Sequence, residues 1–238
     1  MAGLDGIDVV VLAGGLGTRI RSVLGDDTPK VLAPVAGRPF LDHLLAYLAG
    51  LGAGRVVLSL GHLAQSVLTY LDTVPQPLPV EAVIEPAPLG TGGAVRFVRD
   101  RLRGGTVLVL NGDTWLDADF GAFLADHRRA GRGISLLCVT VPDVSRYGRV
   151  EAAADGSVAR FVEKDPAQQG AGLINGGAYL FDAPALADLA RQSGPSLERD
   201  FLATLPPGRI HAHVAEGAAF IDIGTPESLA AAASVIVR

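Results

Sequence analysis

Apolar positions along the chain fall into short runs separated by glycine-rich or polar turns, and the runs alternate between two periods. Ile7 to Leu12 is an unbroken, Val-rich stretch too short for most helices, which predicts a strand buried on both faces. Past Val31-Leu32-Ala33-Pro34-Val35 and a turn at Gly37-Arg38, Pro39 is expected to open a helix at its first turn. Phe40, Leu41, Leu44, Leu45 and Leu48 then recur at helical spacing, and Gly50 to Gly54 ends the element. Arg55 to Leu60 predicts a second strand, Leu63 to Leu71 a second helix and Val80 to Ile84 a third strand. This βαβαβ alternation implies a parallel sheet with helices on both faces.

The alternation continues through a Pro/Gly loop from Glu85 to Gly93, a helix from Ala94 to Leu102, a strand from Thr106 to Leu110, a helix from Phe120 to Arg129 and a strand from Ile134 to Val141. It then breaks. Ala154-Asp155-Gly156-Ser157 is a hairpin signal between Arg149–Ala153 and Val158–Glu163. A strand from Leu173 to Phe181, short helices at Pro184–Ala190 and Leu197–Leu205, strands at Arg209–Val214 and Ala219–Ile223, and a closing Ala-rich helix from Pro226 to Val235 follow. The expected fold is α/β: a doubly wound, mixed and mainly parallel sheet of Rossmann-like type, with antiparallel strands added in the second half. No internal repeat, low-complexity tract or linker divides residues 1–238, and Pro206-Pro207-Gly208 reads only as a turn, so one domain is expected.

At 238 residues with 49% hydrophobic content, the chain is ample for a buried core. A net charge of −5 argues against a nucleic-acid partner, where a basic stripe is expected. One cysteine, Cys138, excludes an internal disulfide and sits in an apolar run, as a buried thiol would. Neither a leader-like start nor an uncharged membrane-length run is seen, so the expectation is a soluble cytoplasmic protein without a membrane partner. Of the 20 basic residues, all but Lys30 and Lys164 are arginine, and the only asparagines are Asn111 and Asn175. In a background that uses arginine almost everywhere, two lysines mark places where a compact ammonium is needed.

The candidate chemistry begins where the first strand runs into Ala13-Gly14-Gly15-Leu16-Gly17-Thr18-Arg19, with Pro29-Lys30 beyond. Glycines let backbone N–H groups close on an anion, Arg19 offers a fork that fits phosphate, and Lys30 is a mobile point charge. Together they read as a polyphosphate cradle; a tight turn with a stray surface arginine is the plainer alternative. The loop is neither a phosphate loop with Gly-Lys-Ser/Thr nor the dinucleotide fingerprint, whose third glycine is missing. Ligands of open parallel sheets bind beyond the carboxyl ends of the strands, so the glycine loop, the Glu85 loop and Asp113 are expected to converge on one crevice. Asp113 follows a buried strand and Asp222 interrupts another, and carboxylates facing a phosphate cradle suit Mg²⁺. Each aspartate taken singly reads as a cap or turn residue.

Motifs elsewhere agree in order: Leu89-Gly90-Thr91-Gly92-Gly93-Ala94, Asn111-Gly112-Asp113, Tyr147-Gly148, Glu163-Lys164, Asn175-Gly176-Gly177 and Asp222-Ile223-Gly224-Thr225-Pro226. With Gly14-Gly15-Leu16-Gly17-Thr18-Arg19, Pro29-Lys30 and Pro34, they make the chain resemble, over essentially its whole length, the sugar-1-phosphate nucleotidyltransferases. Glu85 to Ala94, Arg146-Tyr147-Gly148 and Gly172 to Tyr179 most resemble the D-glycero-α-D-manno-heptose-1-phosphate guanylyltransferases. The resemblance implies attack of a sugar 1-phosphate oxygen on the α-phosphorus of a nucleoside triphosphate, with pyrophosphate leaving. It implies that Arg19 stabilises the pyrophosphate, Lys30 binds the α-phosphate, and Asp113 and Asp222 hold Mg²⁺. Leu12, Ala13, Gly14, Gly15, Gly17, Thr18, Glu85, Gly90 and Thr91 would bind the nucleotide. Lys164 would grip the sugar phosphate, with Asn111, Tyr147, Gly148, Glu163 and Asn175 around the sugar. Residues 1–141 would form the nucleotide half and 142–238 the sugar-phosphate half, without the β-helix extension of some relatives, as a monomer or homodimer.

Another base or another sugar, such as mannose or glucose 1-phosphate, is the nearest alternative. An inactive nucleotide-sugar-binding regulator would be expected to lose Arg19, Lys30 or an aspartate, and all are present. A glycosyltransferase would carry Asp-x-Asp after a mid-sheet strand; Asp117-Ala118-Asp119 has that spelling but lies past Asp113, as a helix cap would. Arg146 either faces substrate or makes a surface ion pair. Trp115 is expected in the core, His43 and His62 in helical segments, and His127 with Arg128, Arg129 and Arg132 at a solvated helix end. His211 and His213 alternate on one strand face, where a two-histidine metal site is disfavoured without a third ligand.

Overall fold

The computed structural model describes residues 3–162 and 169–237. In chain order the elements are β1 (Asp8–Ala13), α1 (Arg21–Leu24), the small hairpin β2 (Pro34–Val35) and β3 (Arg38–Pro39), α2 (Phe40–Gly50), β4 (Val56–Leu60), α3 (Ala64–Thr73), β5 (Val80–Ile84), α4 (Gly90–Val98), β6 (Val107–Asn111), β7 (Thr114–Asp117) and α5 (Phe120–Ala130). The second half continues with β8 (Ile134–Val141), β9 (Arg149–Ala152), β10 (Val158–Val162), β11 (Gly172–Phe181), α6 (Ala183–Ala190), α7 (Leu197–Asp200), β12 (Ile210–Val214), β13 (Ala219–Asp222) and α8 (Pro226–Ile236).

The Val-rich first run lies in the interior of the main sheet. β1 pairs in parallel with β4 on one side and β6 on the other, and β4 pairs in parallel with β5. Val9, Val10 and Val11 are all fully buried. Val9 and Val11 join an apolar cluster with α2, α3, α5 and α8, while Val10 joins a second cluster with α4, α6 and α7. Helices therefore cover both faces, which is why the strand shows no polar alternation. β11 enters antiparallel between β6 and β8, β12 returns parallel to β8, and the β9–β10 hairpin attaches to the first half of β11. The fold is thus the mixed α/β sheet expected, mainly parallel in its centre with antiparallel strands in the second half.

Several expectations are corrected. Pro39 precedes α2 rather than opening it: its ψ of 144° is extended, and it pairs with Pro34. His62 lies in the turn before α3, not in the helix. α4 begins at Gly90, not Ala94. Its glycines are poor helix formers, but the segment at Pro195–Leu197 presses so closely that a Cβ at Gly90 would lie 2.5 Å from the Pro195 carbonyl oxygen. The helix expected over Leu197–Leu205 is α7 followed by a separate 3₁₀ turn at Leu202–Thr204, broken at Phe201. β7 was not anticipated; it pairs with β13 in a two-stranded ribbon outside the main sheet.

His127 is not at a solvated end. It is buried, its Nδ1 2.8 Å from Ser135 Oγ and its Nε2 3.0 Å from Asp182 Oδ1. Phe120, Phe123, Leu124 and His127 form one helical stripe packed onto the sheet, so the neighbouring arginines turn outward and the histidine inward. Ser135, His127 and Asp182 share the order of a hydrolytic triad, but Ser135 is fully buried within β8 and the trio is structural. His211 and His213 do share a face: His211 Nε2 and His213 Nδ1 each lie 2.8 Å from Asp126 Oδ2 on α5. Asp119 caps α5 through Ala122 N, Cys138 is a buried thiol, and Trp115 is buried against Tyr47.

Candidate active site

β1, β4, β5 and β6 run in one direction, so the turns that leave them share the carboxyl edge of the sheet. Two adjoining cavities open along this edge. The first, about 290 Å³, is lined by Leu12, Ala13, Gly14, Gly15, Lys30, Glu85, Gly90, Thr91, Asn111 and Asp113. The second, about 450 Å³, is lined by Arg19, Asn111, Asp113, Tyr147, Gly148, Asn175 and Asp222. Asn111 and Asp113 stand on both, so the wall between the cavities is the end of β6 and the turn after it.

The floor of the first cavity is built by close approach. Glu85, at the end of β5, is buried, and its carboxylate accepts from Ser59 Oγ at 2.9 Å and from Leu89 N at 3.2 Å. Gly14 lies directly over it, where a Cβ would sit 2.6 Å from Glu85 Oε1, so only glycine fits. Each Glu85 oxygen is left with acceptor capacity, since a carboxylate carries about four lone-pair sites. Gly17 and Thr18 line neither cavity: at Gly17 the chain takes a left-handed φ of 59° and swings into the 3₁₀ turn Thr18–Ile20.

Charge concentrates where the cavities meet. The ribbon sets Asp222 opposite Thr114, and Ile223 N donates to the Asp113 carbonyl at 2.9 Å, so Asp113 and Asp222 become neighbours. Lys30 Nζ is hydrogen-bonded to Asp113 Oδ2 and lies 3.6 Å from Asp222 Oδ1. Gly224 closes the group: a Cβ there would be 2.5 Å from Asp222 Oδ1, 3.0 Å from Lys30 Nζ and 3.1 Å from Arg19 Nη2. Two cations and two carboxylates therefore converge around one glycine. Aspartate oxygens are hard donors, and Mg²⁺ takes one or two carboxylates together with phosphate oxygens and waters, so Asp113 and Asp222 fit such an ion. Among the described residues, no group of three or more His, Cys, Asp or Glu is placed to hold a metal ion.

The second cavity has a polar back wall. A bulge at Gly176-Gly177 shifts the register of β11 on β8. Asn175 folds back over it, accepting from Gly177 N at 3.0 Å and donating to Tyr179 OH at 2.9 Å. Tyr179 OH donates to Glu198 Oε1 at 2.6 Å. Complete burial, with Glu198 beside it, pushes the Tyr179 phenol well above its ordinary range, so it stays protonated. Tyr147 is also raised, chiefly by burial, with Arg146 opposing and Asp222 adding a smaller push upward. Arg146 reaches Thr225 Oγ1 at 3.4 Å and lies over its neighbour Tyr147. Glu163 and Lys164 lie outside the described residues.

Among the residues the sequence reading did not place at the site are Tyr179, Glu198 and Arg199, which line the second cavity, and Gly224, which packs against Asp222 beside it. Gly224 stood in a quoted motif as a spacer, and its neighbourhood to Arg19 and Lys30 is set by pairing between distant segments. Ser196-Leu197-Glu198-Arg199 carries only the signal of a helix start, with Ser196 as its cap.

The site thus consists of a glycine loop at the carboxyl edge of a doubly wound sheet, with paired carboxylates and cations between two cavities. The chain belongs to the nucleotidyl transferase family, whose model matches residues 8–237. It is 33% identical to the D-glycero-alpha-D-manno-heptose 1-phosphate guanylyltransferase of Campylobacter jejuni, over 93% of this chain and 96% of that protein. It is 35% identical to the mannose-1-phosphate guanylyltransferase of Mycobacterium tuberculosis, over 98% of this chain but 65% of that longer protein. Among solved structures, HddC from Yersinia pseudotuberculosis superposes with a TM-score of 0.84 at 36% identity, covering 96% of this chain and 98% of HddC. HddC has also been solved in complex with GMP-PN. No described helix is long and apolar enough to cross a membrane.

Proposed function

We propose that this nucleotidyltransferase transfers the guanylyl group of GTP to a heptose 1-phosphate, releasing pyrophosphate. Glu85 carries the choice of base. A buried carboxylate on the floor of the first cavity is an acceptor pair, and guanine presents two adjacent donors, N1–H and the 2-amino group, on one edge. Adenine, uracil and cytosine present no such adjacent pair. The heptose is supported by the guanylyltransferase relatives that this chain matches over nearly their whole length. Mannose 1-phosphate is the second reading, supported by the mycobacterial relative.

In this reading residues 1–141 supply most of the nucleotide cavity and 142–238 most of the sugar-phosphate cavity. Backbone groups of Ala13 to Gly15, Gly90 and Thr91 hold the nucleoside, and the α-phosphate lies at the junction beside Lys30. The sugar phosphate enters the second cavity, between Tyr147, Gly148 and Asn175. Lys164 acts there too, and the exposed guanidinium of Arg199 faces the same space. Transfer of this kind needs positioning and charge neutralisation more than a protein nucleophile. Lys30 neutralises charge growing on the α-phosphorus oxygens, and Arg19 stabilises the departing pyrophosphate. Asp113 and Asp222 would hold Mg²⁺, which would supply neutralisation of phosphate charge when bound.

Initial rates with GTP and ITP test the base assignment, because ITP lacks only the 2-amino group. The expected outcome is a preference for GTP of at least about tenfold in kcat/KM, which Glu85→Gln reduces, from the loss of a hydrogen bond to a charged acceptor. Equal use of GTP and ITP by the wild type would remove Glu85 from base selection.

A further inference from the structure

A chain of hydrogen bonds runs from one cavity to the other, and the proposed reaction gives the carboxylate at its centre, Glu198, no role. On the sugar side it is Asn175 Nδ2 to Tyr179 OH at 2.9 Å, then Tyr179 OH to Glu198 Oε1 at 2.6 Å. On the nucleotide side it is Leu197 N to Thr91 Oγ1 at 2.8 Å, then Thr91 Oγ1 to Glu198 Oε2 at 3.0 Å. Ser196 Oγ adds a third hydroxyl at 3.2 Å. Tyr179 and Thr91 each accept a bond from behind and give their proton to Glu198, so the directions are fixed and the carboxylate is the common sink. Glu198 lines the second cavity and Thr91 the first. The backbone is fastened at the same place. Gly92 N donates to the Pro195 carbonyl at 2.8 Å, and Gly90, at a φ of 71°, leaves no space for a side chain against it. The segment carrying Glu198 therefore cannot shift without disturbing the first turn of α4.

Building on the two-substrate reading above, we propose that Glu198 is a positioning residue that couples the two cavities, so that each substrate's binding sets the other's site through its carboxylate. A residue with a purely local role on the sugar side would affect the sugar phosphate alone. A hub must affect both. Glu198→Gln keeps the shape but offers one acceptor and one donor where three hydroxyls point, leaving Tyr179 or Thr91 without its acceptor.

The test uses the full chain, with melting curves to establish folding. Dissociation constants are measured separately for GTP and for heptose and mannose 1-phosphates, followed by initial rates with both substrates varied. Glu198→Gln is expected to weaken GTP and the sugar phosphate alike, by about tenfold each, the scale of one hydrogen bond to a charged group. In the wild type the KM of each substrate should fall as the other rises. That dependence should vanish in Glu198→Gln and Thr91→Val and survive in Thr91→Ser, whereas loss of structure alone would lower the melting temperature without moving it. If Glu198→Gln fails to fold, Tyr179→Phe, which keeps the ring, is expected to weaken GTP as well. Weakening confined to the sugar phosphate, or an unchanged dependence, overturns the proposal. A wild type that turns over no sugar 1-phosphate would contradict the assigned reaction. The GTP dissociation constants would still decide on Glu198, with equal values for wild type and variant counting against it.

Discussion

Lys30→Arg keeps the charge and changes only the shape that carries it. In the structure the ammonium is a single atom hydrogen-bonded to Asp113 and 3.6 Å from Asp222. An atom added at Gly224 would already be 3.0 Å from it and 3.1 Å from Arg19 Nη2, so the side facing Gly224 has no room for another heavy atom. A guanidinium brings two terminal nitrogens on a planar fork. To fit, it must retract along its stem, turn into the first cavity or displace Asp222, a shift of about 1 Å in each case. A misplacement of about 1 Å costs on the order of 10²-fold in rate. On the proposed reading, deleting the charge with Lys30→Met removes a contact strengthened in the transition state, worth about 10²–10³-fold in kcat, or roughly 2.7–4 kcal/mol. Lys30→Arg is therefore expected to lose about 10²-fold in kcat, close to Lys30→Met, with GTP affinity changed far less. Asp113 and Asp222 are partly exposed, and pairs of that kind contribute only about 0–1 kcal/mol to stability, so the melting temperature should barely move. Pyrophosphate release, calorimetric GTP binding and thermal melts measure the three quantities. A Lys30→Arg enzyme within about threefold of wild-type kcat would refute the reasoning, because misplacement on this scale predicts far more.

Gly224→Ala puts a methyl group within 2.5 Å of Asp222 Oδ1 and about 3 Å of both cations, and should lower kcat by about tenfold or more, as seen in pyrophosphate release with the fold retained. Burial would raise the Asp126 carboxyl, but hydrogen bonds from His211 and His213 and the charges of His211 and Arg129 outweigh it and hold the pKa below its ordinary value of 3.8. Stability from this group is thus present above 3.8 and lost as pH falls through the lower folded-state value. Urea unfolding across the acid range should accordingly show a shallower fall for Asp126→Asn than for wild type. Burial pushes the Cys138 thiol up to about 12, so a thiol reagent at neutral pH should label unfolded but not native protein.

The fold is legible where its cause is local. The Val9–Val11 run, the spacing of Phe40, Leu44 and Leu48, and the hairpin signal at Asp155-Gly156 each appear as the elements they imply. What escapes is made by partners far off in sequence. β7 is four residues long and exists because Ala219–Asp222 lies beside it. The first turn of α4 looks like a loop because Gly90 and Gly92 are needed by a contact with Pro195–Leu197, about a hundred residues away. His127 hid beside arginines although its spacing from Phe123 and Leu124 placed it on the buried stripe. The same division holds at the site. The glycine loop, Lys30, Asp113 and Asp222 stand out in the sequence when read together, whereas Glu198 is an ordinary first-turn acid until Tyr179 and Thr91 meet it.

The most direct test of the account is pyrophosphate release from purified protein with Mg²⁺, crossing GTP, ATP, UTP, CTP and dTTP against heptose, mannose and glucose 1-phosphates. The account predicts release with GTP and the heptose 1-phosphate, well above every other pair. Turnover only with another nucleotide would contradict the role given to Glu85. Turnover with GTP and mannose 1-phosphate alone would replace the sugar, and no release from folded protein with any pair would contradict the catalytic assignment itself.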